Sequence, residues 1–313
     1  MPDARAEQLS RLIEKLRIPP GARVTLAKDY DPSFKAGWAR KRDGAAQLKL
    51  SVEMLAEYQE RLAAEHARGL LVILQGIDAA GKDGTIRHVM GGVNPQGVSV
   101  RSFKIPSSEE LDHDFLWRYA RALPGRGEIG IFNRSHYEEV LVVRVHPENL
   151  DRQRIPADAR DGIWERRYRD INAWERHLTG TGFTIVKLFL NLSKEEQRRR
   201  FLKRIDRADK NWKFSASDAR ERGHWDDYQH AFSEMLSQTS TGWAPWYVIP
   251  ADRKWFARIA VGAVIVDALV GLDPRFPTLS AEERDALTHA RADLIAEAPK
   301  GAARDPVKAK SKT

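Results

Sequence analysis

The sequence predicts an α/β fold in which a parallel sheet is sandwiched between helices, and three observations predict it. From Leu70 onward, five short apolar runs alternate with amphipathic stretches of helical length. The runs are continuously apolar instead of alternating, which is the pattern of strands buried on both faces. The first run passes straight into a glycine-bounded loop and then a helix, a join at which α/β folds build anion sites.

Taken in order, residues 1–69 read as a polar helical arm. It holds two helical stretches, Asp3–Arg17 and Ser51–Ala67, around a connection containing Pro19, Pro20, Gly21 and Pro32. Val52, Leu55, Tyr58 and Leu62 recur at helical spacing, so the second helix is expected to pack on the domain that follows. That domain spans residues 70–272. Its strands are Leu70–Gln75, Val98–Phe103, Ile129–Phe132, Thr184–Leu192 and Trp246–Ile249. Ser193 to Glu196 is a capping-box sequence that starts a helix straight after the fourth strand. The longest apolar run, Trp255 to Leu272, carries Arg258 and Asp267 and reads as a buried helix, not a membrane span. Residues 273–313 read as a C-terminal helix and a basic tail, with Glu297–Thr313 expected to be disordered. No fixed-period repeat is visible, which excludes a solenoid.

The chain has 313 residues, no cysteine, and 52 Lys+Arg against 44 Asp+Glu. Absence of cysteine excludes a disulfide scaffold and a Cys-ligated zinc or iron–sulfur centre. Hydrophobic content of 42% with nine Trp excludes a disordered chain. The first residues lack an apolar signal core, so a cytoplasmic location is expected. The net +8 is uneven: Lys194–Lys213 carries nine Lys/Arg against four Asp/Glu, and Lys300–Thr313 carries five against one. Such a distribution suits an anionic ligand handled at one place better than a nucleic-acid coat. Neither a membrane nor a nucleic acid is therefore expected as a partner.

The segment Gly76-Ile-Asp78-Ala79-Ala80-Gly81-Lys82-Asp83-Gly84 fits the P-loop pattern GxxxxGK, between a strand and a helix as that pattern requires. Gly76 and Gly81 let successive N–H groups turn inward, the helix N-terminus adds its positive end, and Lys82 supplies a full charge. Residues 76, 79–81, 83 and 84 are thus candidate phosphate contacts. The usual Ser/Thr magnesium ligand after the lysine is Asp83 here, which makes Asp78 the natural metal-binding candidate. After the third strand comes Asn133-Arg134-Ser135-His136-Tyr137-Glu138. Asn133 stands where a Walker B aspartate would be, Arg134 offers a planar fork for phosphate, and Glu138 is a second metal or nucleotide candidate. For His136 a capping or packing role is favoured over chemistry. On the basic helix, Phe201, Leu202 and Ile205 are expected to anchor while Arg198, Arg199, Lys203 and Arg204 reach out. Lys210, Asn211, Trp212 and Lys213 are further candidates. Lys104 either touches nucleotide phosphates or is a plain surface lysine.

These residues, with GGVNPQGVSVRSFKIPSSEEL, IFNRSHYEEVLVVRV, LNLSKEEQRRRF, KNWKFS and APWYVIPADRKWF, resemble the polyphosphate kinase 2 family from about Leu70 to Leu272. Asn133 with Glu138 resembles its class III branch, which implies action on both AMP and ADP. The resemblance further implies a P-loop kinase fold, a three-layer α/β/α sandwich with a parallel sheet and a helical lid at about 193–213, related to thymidylate kinase. It implies transfer of the terminal phosphoryl group of inorganic polyphosphate to AMP or ADP, giving ADP or ATP, with Mg²⁺ or Mn²⁺ as cofactor, guanine nucleotides as further acceptors, and a dimeric or tetrameric assembly. Asp78 and Lys82 match the family's Walker A acid and lysine, Asn133 and Arg134 its Walker B-like pair, and Arg198, Arg199, Arg200, Lys203 and Arg204 its lid. The competing readings are an ATP-dependent nucleoside monophosphate kinase and a non-catalytic binder of nucleic acid or polyphosphate.

Overall fold

The computed structural model describes residues 13–36 and 41–297. The chain divides into two compact units, Met1–Arg275 and Phe276–Thr313. In the first unit the longer elements are α1 (Lys41–Glu65), β1 (Gly69–Gln75), α2 (Lys82–Val89), β2 (Val98–Ser102), β3 (Ile129–Asn133), α3 (Ile163–Gly180), β4 (Phe183–Asn191), α4 (Lys194–Ile205), α5 (Trp225–Thr239), β5 (Trp246–Pro250) and α6 (Lys254–Leu272). The second unit carries α7 (Ala281–Ala296), opened by a complete capping box between Ser280 and Glu283. The basic tail from Lys300 lies outside the described residues.

The five strands form one sheet in the order β2-β3-β1-β4-β5, every neighbouring pair parallel. Successive side chains of a strand point to opposite faces, so β1 feeds two core layers. Leu70, Val72 and Leu74 pack with Met54, Leu55 and Leu62 of α1 and with Ala260 and Val264 of α6. Leu71 and Ile73 pack on the other face with Phe132, Phe189 and Trp246, and with Ile171 of α3 and Met235 of α5. The architecture is the expected three-layer α/β/α sandwich.

Helix α6 is long and apolar enough to cross a membrane by length and composition. Here it is a core helix, with Ile259, Val261, Val264, Ile265 and Val266 at most 1% exposed. Each such burial contributes roughly 1.5–3 kcal/mol, which accounts for its apolarity. It lies so close to α1 that a Cβ at Gly44 would meet Ile259 Cδ1 at 2.6 Å.

Most of the stretch Asp3–Arg17 lies outside the described residues; its described end is helical at Ile13 and closes in a 3₁₀ turn, Glu14–Leu16, before extended chain. Ile18 precedes Pro19, which biases it away from helix. Arg17 instead forms an antiparallel bridge with Tyr247, and the Ile18 amide donates to the Trp246 carbonyl at 2.9 Å, laying this segment along β5. Two expectations are corrected. Helix α1 already runs from Lys41, ten residues before Ser51, and its first turns pack through Gly44 and Leu48. Finally, β2 is not buried on both faces. It sits at one end of the sheet and is exposed from Val100 to Ser102.

Candidate active site

The central strand β1 ends in the glycine-bounded loop. Gly76 adopts φ 150° and Gly81 φ 106°, and a Cβ at Gly76 would meet the Leu190 carbonyl at 2.9 Å. Both glycines are therefore demanded by the turn. Helix α2 starts at Lys82, whose Nζ donates across the loop to the Gly76 carbonyl at 2.6 Å. Burial lowers the pKa of this ammonium, and the nearby Arg134 charge lowers it further against the opposing carboxylates of Asp78, Glu138 and Asp83.

Because β3 lies beside β1, its following loop meets the phosphate loop. Asn133 Nδ2 donates to Asp83 Oδ1 at 2.7 Å and to Ser102 Oγ at 3.3 Å. The two departures from the usual P-loop pattern, Asp83 and Asn133, thus satisfy each other. Arg134 holds a left-handed φ of 64° and donates from Nη2 to Asp78 Oδ1 at 2.8 Å, with Glu138 Oε2 3.7 Å from Nη1. Glu138 first, and then Asp78, raise its pKa against burial. His136 is fully buried among Tyr119, Tyr137 and Trp174, which is the packing role favoured for it.

Asp78, Arg134 and Glu138 line a cleft of 160 Å³. Its far wall holds residues that the sequence reading missed, His146, Glu221 and Tyr228. His146 Nε2 lies 3.1 Å from Glu221 Oε2, and the Tyr228 hydroxyl donates to the same oxygen at 3.0 Å. Burial and then Glu221 push the Tyr228 hydroxyl well above its ordinary pKa, so it remains a donor. His146 and Glu221 meet only through the packing of distant segments, so no local pattern marks them.

Helix α4, the basic helix, starts straight after β4. Ser193 Oγ caps the Glu196 amide at 3.1 Å, but the reciprocal half of the box is absent: the Ser193 amide donates to Asp252 Oδ1 at 2.9 Å. The anchoring face also differs from expectation. Phe201 is buried, yet Leu202 and Ile205 are 47% and 44% exposed. The inner face carries Gln197 and Arg200 because what it packs against is loop backbone. Gln197 Nε2 donates to the Asp78 carbonyl at 3.0 Å. Arg200 Nη1 donates to the Ala79 and Ala80 carbonyls at 2.9 and 2.8 Å, Nη2 to the Ala251 carbonyl at 2.5 Å, and Nε to Glu196 Oε1 at 2.9 Å. In this structure Arg200 grips the phosphate loop from behind instead of facing outward. Arg198 and Arg199 are exposed and share Glu195, and Lys203 is exposed beyond them. Lys104 is exposed past the end of β2 and is not among the residues lining the cleft. Trp212 is 74% exposed in the turn after α4.

Comparison with known proteins finds relatives of similar sequence and fold. The sequence model of the family described as polyphosphate kinase 2 matches residues 39–277. An ADP-polyphosphate phosphotransferase of Rhodopseudomonas palustris is 47% identical over 287 residues, covering 90% of this chain and 98% of the relative. An AMP/ADP-polyphosphate phosphotransferase of Meiothermus ruber is 45% identical over 85% of this chain and 96% of its own. The crystal structure of polyphosphate kinase 2 from Arthrobacter aurescens TC1 superposes with a TM-score of 0.79 at 44% identity, covering 88% of this chain and 96% of that one. A family model matched over most of the chain and likeness to these relatives over nearly their whole length lead to one conclusion: the chain belongs to the polyphosphate kinase 2 family.

Proposed function

We propose that this chain transfers the terminal phosphoryl group of inorganic polyphosphate to AMP or ADP in a single in-line step. The observation that carries the reading is the meeting of Asp78 and Arg134 in one cleft at the C-terminal ends of β1 and β3, with Lys82 bound to the Gly76 carbonyl of the loop that borders it. The terminal phosphate oxygen of the acceptor forms the new P–O bond, the bridging P–O bond of polyphosphate breaks, and the shortened chain leaves with the electron pair. That acceptor oxygen is already anionic near neutral pH, so no strong general base is needed. The contributions of the protein are orientation and charge. Lys82 and Arg134 lie where negative charge accumulates on the transferring group. Arg134 is itself held between Asp78 and Glu138, so its guanidinium stays aimed along the cleft. The cleft wall of His146, Glu221 and Tyr228 is the side open to the acceptor.

The acidic side chains fit a magnesium ion that arrives with its substrate. Among the described residues no three His, Asp or Glu side chains form a cage. Asp78 and Glu138 face one cleft, and Mg²⁺ is commonly held by one or two carboxylates plus substrate phosphates. Asp78 and Glu138 would hold it, and it would offset phosphate charge.

Incubation with magnesium and polyphosphate plus AMP or ADP, resolved by chromatography, tests the reading. ADP and ATP are expected to form. Product formation from ATP and AMP alone, with no response to polyphosphate, would instead identify an ATP-dependent monophosphate kinase. The exposed cations of the lid give a second expectation. Replacing Arg199 and Lys203 together by alanine should raise the KM for polyphosphate about tenfold and flatten its dependence on salt. The KM for nucleotide should hardly move, and equal losses for both substrates would remove polyphosphate from this face of the lid.

A further inference from the structure

The loop that carries Arg134 and Glu138 has a second side. Ser135, His136 and Tyr137 are 0% exposed and Glu139 is 3% exposed. Their partners are charged. Lys187 of β4 and Glu175 of α3, both 0% exposed, form an ion pair of 2.6 Å. The Tyr137 hydroxyl stands between them, donating to Glu175 Oε1 at 2.7 Å and accepting from Lys187 Nζ at 2.8 Å. Lys187 also donates to the Thr239 carbonyl at 2.6 Å, and His136 Nε2 lies 3.3 Å from Glu175 Oε1. Two turns earlier on α3, Arg167 Nη1 donates to the Glu139 carbonyl at 2.7 Å. Burying an ion pair is costly, and an apolar replacement of similar volume is often neutral or stabilising. Packing alone therefore does not account for this cluster beneath the loop.

We propose that Lys187, Glu175 and Tyr137 are positioning residues, which lock the turn His136–Val140 so that Arg134 and Glu138 point into the cleft. The proposal rests on the phosphate-contact role given to Arg134 above. Arg134 sits in a left-handed backbone conformation, which is strained for a residue that carries a side chain. Such strain persists only where the surroundings over-determine it. The network supplies that constraint from two directions, through β4 and through α3. Burial lowers the pKa of His136 against the opposing pull of Glu175; burial also works to raise the Glu175 carboxyl, but Lys187 and His136 outweigh it and hold the carboxyl low. Burial likewise lowers the pKa of Lys187 against the pull of Glu175, 2.6 Å away beneath the loop.

A double-mutant cycle tests this. Tyr137→Phe deletes only the bridging hydroxyl, and its melting temperature should stay within about 5 °C of the parent. Its kcat should fall about tenfold, with the KM for ADP changed less than about threefold, as expected for a clamp that is misaimed and not absent. In an Arg134→Ala background the same substitution should add less than about twofold, because the residue it aims is gone. The paired replacement Lys187→Met with Glu175→Leu removes both charges together, and should fold and show the same loss and the same non-additivity. Equal fold-losses with and without Arg134 would reveal a merely structural role and overturn the proposal, as would an unchanged kcat in Tyr137→Phe. Tripolyphosphate affinity measured by calorimetry in the same variants separates the two readings. A parent chain that binds tripolyphosphate without turning over overturns the proposed activity, and the cycle is then read on affinity. A parent chain that does neither leaves Arg134 without a ligand and overturns both.

Discussion

Lys82→Ala should lower kcat/KM roughly 10³-fold while leaving the fold intact, the scale expected when one preorganised positive group is removed from a developing phosphate charge. The lysine spans the loop to the Gly76 carbonyl and is buried there. Its lowered pKa shows that the folded chain disfavours the charged ammonium relative to water. Removing it therefore relieves a burial cost as it deletes one hydrogen bond, so the melting temperature should change little. Lys82→Arg should not rescue turnover, since the wider guanidinium cannot replace a compact point charge within the loop. Activity within threefold of the parent in Lys82→Ala would remove this loop from the phosphate chemistry.

Arg200→Ala should act in the opposite way, through stability first. Its guanidinium side chain is 6% exposed and satisfies carbonyls of Ala79, Ala80 and Ala251 as well as Glu196. Deleting it leaves these buried acceptors without their donor, at about 3–5 kcal/mol in total. The melting temperature should drop on the order of 10 °C. Turnover should fall for both substrates together, because the loop loses its backing. Arg199→Ala, one residue earlier and exposed, should leave the melting temperature within about 2 °C. If Arg200→Ala melted like the parent and lost only polyphosphate affinity, Arg200 would have to leave the loop and reach the ligand during the reaction.

The contrast between these two arginines shows where sequence reading succeeds and where it stops. The five strands, the phosphate loop and the start of α2 were legible because each is written locally, as an apolar run, a glycine spacing or a helix start. That Asp78 and Arg134 belong to one site was legible in outline, since ligands of such sheets sit beyond the C-terminal ends of the strands, but their ion pair was not. Arg200 was not. In the string Arg198-Arg199-Arg200 the three residues look alike, and helical rotation alone turns one inward onto a surface of backbone carbonyls that no sequence pattern announces. The same applies to Lys187, which sits inside an apolar strand as a lone charge and finds Glu175, Tyr137 and the Thr239 carbonyl only once the layers close. Glu221 and His146 were missed for a related reason: each is ordinary in its own stretch and becomes a cleft wall by meeting the other.

The segment laid along β5 has a consequence for association. A terminal strand presents unpaired N–H and C=O groups that invite strand addition from another molecule. On the β5 side, Arg17 and Ile18 already occupy Tyr247 and Trp246, so that invitation is closed from within the same chain. At the opposite margin, β2 is only five residues long and carries Arg101 on its exposed half, a short and charged border that deters pairing. Arg17 and Ile18 thus serve as a selvedge: a chain shortened beyond Ile18 would bare the backbone edge of β5 and would be prone to pair strand to strand with a second molecule before any chemistry could be assayed.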